Sequence, residues 1–570
     1  MAYTMKAKRS NQCPFCGAGI QKGVDTITKR GGVWGHETCP VSAPAALRVE
    51  RSTPPADVPL VDFNLIALGD AAADVAHQQP VAEVPAVVVV REFRPSKFQQ
   101  DFYDAMSQPG NIALKATAGS GKSTTLKNAF PYLDPKSAVV AVVFAKRNAD
   151  DLKATMPAWI EAKTTHSLAY SNVRAAWKGC EVNDKKLWDI MREIGRESTD
   201  NRKAIEAAGP QIAKIVGLRK NTLRDDVDML IDHYGVELPA DHFEQSIALS
   251  KRVFERSIDD TTTADFDDML YWCAVGRVPC KQFDTILDDE VQDENQAQID
   301  FILRSLKPGG RVLSVGDPMQ SIFGFRGAAL DAFEQVVRQT NAREMPLSIT
   351  YRLPLSHVEL VQGLFPEANM LPRDNAPKGE IGHMEEKDLT KRVRQGDMVV
   401  CRLNAPLVRP CFELIRAGVK AVIVGRDVGR NLAQVLEKAA KRALSQSLAM
   451  VLSALEEYTR GEVAKLNRVG KEQSAQNLLD TFETLIALSD GCSTVGEVTA
   501  KIASVFSDDV QGVVFSSVHR AKGLEADNVY ILHPSLMPAR FAKQEWEKKQ
   551  ENNIKFVAYT RSKHGLYFVG

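Results

Sequence analysis

Two absences set the limits of this chain. It has no net charge, since 72 Lys and Arg balance 72 Asp and Glu, and it has no uninterrupted apolar stretch long enough to cross a bilayer. The first absence excludes a protein that coats nucleic acid by bulk charge alone, although it leaves room for a local basic channel. The second, together with a basic and polar start at residues 1–10 that has no apolar signal core, predicts a cytoplasmic protein without membrane contact. Cysteine is scarce too. Nine in 570 residues are too few for a disulfide scaffold, which fits a reducing compartment. A chain of this length exceeds what one core supports, and about three or four compact units are expected.

From residue 93 onward, short apolar runs alternate with amphipathic helical patterns. The runs lie at residues 138–144, 283–287, 311–315, 398–401, 419–424, 513–516, 529–532 and 566–569. Several end in polar turns, the pattern of parallel sheets in α/β domains. Helical sequence interrupts this rhythm at about 170–262 and about 430–505, and no tandem repeat is evident. Residues 41–92 are rich in Ala, Val and Pro and read as a linker, within which 86–90 reads equally as a strand or as linker.

Residues 116–123 read A-T-A-G-S-G-K-S and follow the apolar run Ile112, Ala113, Leu114. A strand feeding a Gly-rich turn and then a helix is a phosphate cradle. Backbone N–H groups of Ala118, Gly119, Ser120 and Gly121 can point inward, Lys122 can reach the β- and γ-phosphates, and the Ser123 hydroxyl, followed by Thr124, can hold Mg²⁺. Ala116 stands where the general motif has its first Gly, which points to one branch of these nucleotidases. The apolar run at 283–287 ends in Asp288, Asp289 and Glu290. A carboxylate at such a strand end can hold Mg²⁺, here Asp289, and its neighbour Glu290 can polarise the attacking water.

Near the N-terminus the pattern is C-x₂-C followed by H-x₂-C, formed by Cys13, Cys16, His36 and Cys39. Two close pairs of soft ligands joined by a loop can close a tetrahedral Zn²⁺ site, and so short a segment needs such a staple to fold. The remaining six cysteines are dispersed and read as packed thiols.

Further blocks identify a family. Residues 286–295, I-L-D-D-E-V-Q-D-E-N, resemble motif II of superfamily 1 DNA helicases of the UvrD/PcrA/Rep type. The other blocks of that family follow its order: Gln99 in S-K-F-Q-Q, V-F-A-K-R at 143–147, T-T-H-S-L-A-Y at 164–170, V-G-D-P-M-Q-S-I-F-G-F-R-G-A at 315–328, T-Y-R at 350–352, S-V-H-R-A-K-G-L-E at 517–525 and residues 551–563, which end in V-A-Y-T-R-S-K. The resemblance covers residues 93–570. The 164–170 block and D-F-D-D-M-L at 265–270 look closest to the F-box DNA helicase branch, in the motor only, since residues 1–92 show no F-box.

The resemblance implies two RecA-like P-loop domains, 93–345 and 346–570, each with a helical insertion, and the zinc-finger module read from its own ligand pattern occupies 1–40 ahead of them. The second insertion is short for the regulatory subdomain 2B, so control by its rotation is not expected. By the same resemblance Arg352 and Arg561 stabilise phosphoryl transfer, Gln320 senses the γ-phosphate, Tyr351 stacks on adenine while Gln99 reads its edge, and Glu525 meets the ribose or triphosphate. Phe325, Phe144 and Phe323 would stack on bases, with Thr165, His166 and His519 touching the DNA backbone. The implied activity is ATP- and Mg²⁺-dependent DNA unwinding or translocation with 3′→5′ movement on single-stranded DNA and junctions, in repair, recombination or replication. An alternative is a DNA-stimulated ATPase that remodels protein–DNA complexes without processive unwinding. A zinc-bearing adaptor with a dead motor is opposed by the intact Lys122, Asp289, Glu290, Arg352 and Arg561. The finger itself could dock DNA, a protein partner or neither.

Overall fold

The computed structural model describes residues 93–570 except 144–152, 325–326, 328–330, 444, 446, 469–471 and 510, together with the backbone of five short strands before residue 40. In the N-terminal unit Thr4–Lys6, Thr26–Arg30 and Val33–His36 form an antiparallel sheet, and Asn11–Gln12 pairs with Gly19–Ile20. Cys13, Cys16, Cys39, the His36 side chain and the 41–92 linker lie outside the described residues.

The larger unit holds two large parallel sheets, of six and seven strands. The first has the order Arg343–Leu347, Ile112–Ala116, Leu306–Gly316, Phe283–Asp289, Val139–Val143 and Ile160–Thr164, with every pairing parallel. Its central strands are runs of Val, Ile, Leu and Ala buried on both faces, which suits β-branched side chains. Residues such as Leu114, Leu287 and Leu313 fill one face, while Val140, Ile286 and Val312 fill the other under helices Thr165–Ala176, Phe266–Ala274 and Gln296–Arg304.

The second sheet runs Glu380–Met384, Ser562–Val569, Ala526–Leu532, Met398–Cys401, Val513–Ser517, Ala421–Val424 and Phe506–Ser507, again all parallel. The eight apolar runs read from the sequence are all strands here. Four further strands of these sheets, Ile160–Thr164, Arg343–Leu347, Glu380–Met384 and Phe506–Ser507, were not legible. Arg343–Leu347 and Ile160–Thr164 close the two ends of the first sheet and Glu380–Met384 one end of the second, where charged residues and Pro346 are tolerated.

The first helical insertion comprises Lys186–Glu197, Thr199–Thr222, Val227–His233 and Phe243–Asp259. The second comprises Arg426–Arg442, Leu448–Arg468, Glu472–Ser489 and Val495–Val505. Among the described residues no helix is long and apolar enough to cross a membrane.

Register sets the position of the site. Asp289 pairs with Val315, and Val315 with Leu114, so the exits of three adjacent strands fall on one edge. In parallel α/β sheets ligands bind outside the carboxyl ends of the strands.

Candidate functional site

The turn after Ile112–Ala116 depends on two left-handed glycines, Gly119 at φ +73° and Gly121 at φ +82°. A Cβ on Gly119 would lie 2.5 Å from Arg352 Cβ and 2.7 Å from Thr350 Oγ1. Glycine thus lets the second domain's T-Y-R segment close on the loop, where Tyr351 N–H donates to Gly119 O at 2.8 Å. Ser123 and Thr124 stand exposed on helix Lys122–Lys127. The buried Thr117 and Ser120 hydroxyls have no hydrogen-bond partner among the described residues, as expected where a polar ligand completes the shell.

Lys122 Nζ lies 2.8 Å from Glu290 Oε1. Burial opposes the ammonium, but Glu290, Asp289 and Asp317 outweigh it and raise its pKa. Burial likewise acts to raise Glu290, yet Lys122 and Lys522 hold its carboxyl at about 2. Glu290 is therefore the ionised member of this edge. It sits in the left-handed region at φ +65°, a costly conformation for a non-Gly residue that turns its carboxylate out of the strand direction. Asp289 is buried, with Oδ1 unpartnered, and burial followed by the Glu290 charge lifts it to about 7. A cation would relieve both effects. Among the described residues no three His, Cys, Asp or Glu form a metal cage, whereas Mg²⁺ at such sites needs only a carboxylate, a hydroxyl and phosphate oxygens.

A hydrogen-bonded relay leaves this edge for the second domain. Gln292 donates to Glu290 Oε2 and accepts from Asp317 N at 2.9 Å. Gln320 Nε2 donates to Asp317 Oδ2 at 2.6 Å, and Arg561 Nη2 donates to Gln320 Oε1 at 3.3 Å. Arg561 is 1% exposed. Burial and then the neighbouring Arg352 pull its pKa to about 9. Arg352 donates from Nε to Glu525 Oε2 at 2.8 Å and from Nη1 to Thr560 O at 3.0 Å, while Lys563 pairs with Glu525 Oε1 at 2.6 Å.

Gln99 caps its own helix by accepting from Ser96 N at 2.9 Å, and its Nε2 donates to Thr125 Oγ1 at 3.0 Å. A Cβ on Gly121 would meet Gln99 Nε2 at 3.6 Å and Tyr351 Cδ2 at 3.9 Å. The glutamine amide and the tyrosine ring thus converge beside the loop, with Tyr351 43% exposed and available to a planar group.

Sequence reasoning missed two residues of this junction. Lys522 pairs with Asp293, donates to Gln320 O at 2.7 Å and lies over the Phe323 ring at 5.1 Å. Asn553 donates to Ser321 O at 2.8 Å. Both lie inside blocks already recognised, so a count of unassigned polar residues there would have found them.

On the other face of the site, Thr165 and His166 open helix Thr165–Ala176, capped by Thr164 Oγ1 accepting from Ser167 N at 3.2 Å. The His166 ring meets Phe266 edge-on at 6.0 Å, and Phe266 is 49% exposed. His519 lies on the short helix Val518–Ala521. Phe323 is half-buried against a cluster that includes Ala118, Ile322, Val518 and Phe556, a packing position between the domains. Phe144 and Phe325 lie outside the described residues.

Residues 98–341 match the family model of the UvrD/REP helicase N-terminal domain, and residues 413–569 that of the UvrD-like helicase C-terminal domain. The chain is similar to F-box DNA helicase protein 1 of Schizosaccharomyces pombe, at 21% identity over 82% of this chain and 56% of that protein. It is also similar to ATP-dependent DNA helicase srs2 of the same yeast, at 23% identity over 71% and 48%. ATP-dependent DNA helicase UvrD1 of Mycobacterium bovis matches at 24% identity over 51% and 40%. The chain spans about half the length of the curated relatives it matches.

Proposed function

Because the chain belongs to the UvrD-like helicases of superfamily 1, we propose that it is an ATP-driven DNA motor that moves along one strand and unwinds duplex, with 3′→5′ polarity. One observation carries the reading: Gln320 is held from both sides, by Asp317 of the first domain and Arg561 of the second, directly beyond the Lys122–Glu290 pair. A triphosphate in this place would be enclosed by groups from both domains, so its presence or hydrolysis bears on their separation.

The roles follow from charge and position. Lys122 transfers its pairing from Glu290 to phosphate oxygens, which frees Glu290 to orient and deprotonate water. Arg352 and Arg561 stabilise the charge that develops on the transferring group. Mg²⁺, when bound by Ser123 and Asp289, supplies further neutralisation of the phosphates. Tyr351 and Gln99 engage the base, and Glu525 faces the sugar side through its tie to Arg352. On the DNA side, His166 and the exposed Phe266 add an aromatic step to Thr165, Phe325, Phe144 and His519, since bases stack on aromatic faces without sequence preference.

The N-terminal unit is proposed to bind one Zn²⁺ through Cys13, Cys16, His36 and Cys39. Its support is the donor set and the strand pairing, since residues 13–18 join the antiparallel strands Asn11–Gln12 and Gly19–Ile20, and His36 ends a strand three residues before Cys39. It would dock DNA or a protein partner.

Strand displacement on a tailed duplex tests the motor reading. ATP-dependent release of the short strand supports it. DNA-stimulated hydrolysis with clearance of bound protein but no strand release selects the remodelling ATPase.

A further inference from the structure

Asn221, one residue before the end of helix Thr199–Thr222, has no role in the site described above, yet it touches three elements that belong to it. Its Oδ1 accepts from Asn295 Nδ2 at 2.9 Å. Asn295 caps helix Gln296–Arg304 by accepting from Gln298 N at 2.9 Å, and it stands five residues beyond Glu290 on the segment leaving the catalytic strand. Asn221 is also hydrogen-bonded to Asp267 on helix Phe266–Ala274, whose first residue is the exposed Phe266. Finally, a Cβ on Gly327 would lie 3.4 Å from Asn221 Cβ and 3.6 Å from Leu218 Cδ2, so this helix end packs against the turn closed by Gly327 N–H donating to Gly324 O at 3.0 Å.

The helix end that carries Asn221 is fixed. Its neighbour Lys220 is fully buried, donates to Ser257 Oγ at 2.9 Å and Asp265 Oδ2 at 2.6 Å, and lies 2.8 Å from Asp268 Oδ1. Lys186 joins the same carboxylate cluster, 2.8 Å from Asp268 Oδ2. Breaking one partner of so buried a cluster is strongly destabilising, so the end of the helix moves with helix Phe266–Ala274 as one body. A displacement of the Phe266 helix therefore reaches Asn295 through Asn221.

We propose that Asn221 is a positioning residue that couples engagement of single-stranded DNA to the hydrolytic carboxylate, through its hydrogen bond to Asn295. This rests on the DNA-motor reading and adds to it the residue that passes the signal between the two sites. Coupling is reciprocal for binding, so nucleotide must also act on DNA affinity through the same contact.

The test is a double-mutant cycle on the full chain. Asn295→Ser keeps a good helix cap while removing the amide that reaches Asn221, and Asn221→Ala removes the acceptor. Each is expected to lower DNA-stimulated ATP turnover about five-fold, the scale of one hydrogen bond, with the KM for ATP in the absence of DNA and the melting temperature unchanged. The double variant should be no worse than either single one. In each, the change in oligonucleotide affinity caused by a non-hydrolysable ATP analogue should shrink, and the change in analogue affinity caused by DNA should shrink by that same factor. Full stimulation in both single variants overturns the proposal, as do additive losses accompanied by a lowered melting temperature. A parent protein that hydrolyses ATP but ignores DNA overturns the motor reading and this coupling with it, a result distinct from a stimulated parent with insensitive variants.

Discussion

Lys122 Nζ rests 2.8 Å from Glu290 Oε1, so the cation proposed to grip phosphate and the carboxylate proposed to activate water are paired with each other. Under the proposed roles, a phosphate that takes over Lys122 also frees Glu290. The pair joins a part-buried ammonium to a part-buried carboxylate, which is how proteins hold such charges.

The first prediction separates these two residues. Lys122→Ala should lose nucleotide affinity and turnover together. Glu290→Gln should lose turnover by more than about 100-fold, the scale of a positioned general base, while binding ATP more tightly, because Lys122 no longer has to leave a carboxylate. Nucleotide titration alongside steady-state hydrolysis checks both, and weaker ATP binding by Glu290→Gln would contradict the account.

The relay through Gln320 predicts the behaviour of the second domain's arginine. Arg561→Ala should lower kcat by about 1,000-fold or more, as for a cis arginine finger, with little change in the KM for ATP. Arg561→Lys should rescue little, because an ammonium cannot satisfy Val557 O and Gln320 Oε1 from one planar fork. A rise in KM without loss of kcat would place Arg561 in ground-state binding instead.

Phe266 is expected to take part in DNA grip. Phe266→Ala should weaken single-strand binding by ~1–3 kcal/mol, the worth of one stacked base, and leave hydrolysis without DNA in place. Fluorescence anisotropy with a labelled oligonucleotide measures it, and unchanged affinity would return Phe266 to an incidental surface position.

A pH prediction concerns His357, fully buried beneath the second sheet. Its Nε2 lies 3.0 Å from Glu380 O, and its Nδ1 3.0 Å from Ser562 Oγ, which suits a neutral ring that donates to the carbonyl and accepts from the hydroxyl. Burial pulls its pKa down, the bond to Glu380 O opposes this, and His564 adds to the lowering. A folded pKa below the unfolded value of ~6.5 means that its contribution is present above pH ~6.5 and is lost as pH falls through the folded pKa. Thermal melting from pH 8 to 5 should show this loss, and His357→Phe should remove that part of the slope while lowering stability at pH 8 by ~1–3 kcal/mol through the abandoned polar partners. An unchanged slope in His357→Phe would assign the acid sensitivity elsewhere.

The N-terminal unit should carry about one equivalent of zinc, lost in Cys13→Ser/Cys16→Ser. Hydrolysis without DNA should survive that loss, since the matched helicase domains begin only at residue 98. Metal analysis and the same ATPase assay check both, and metal-free full-length protein would overturn the zinc assignment.

Much of this architecture was legible because its signals are local. The eight central strands announce themselves as short apolar runs, and the phosphate loop as glycines whose positive φ the structure bears out at Gly119 and Gly121. Edge strands such as Arg343–Leu347 were invisible because their identity comes from a neighbour's hydrogen bonds rather than from burial of their own side chains. The same holds for the site. Lys122, Asp289 and Glu290 could be read from strand–turn patterns, whereas Lys522 on Asp293 and Asn221 on Asn295 are pairings across 229 and 74 residues, which no local period records.

The central claim is movement along one strand of DNA driven by the Lys122–Glu290 site. It is tested most directly by following ATP-dependent displacement of streptavidin from oligonucleotides biotinylated at either end. The account predicts rapid release from the 5′ end, slow release from the 3′ end, and none from either end in Glu290→Gln. Brisk DNA-stimulated hydrolysis with no release from either end would contradict it.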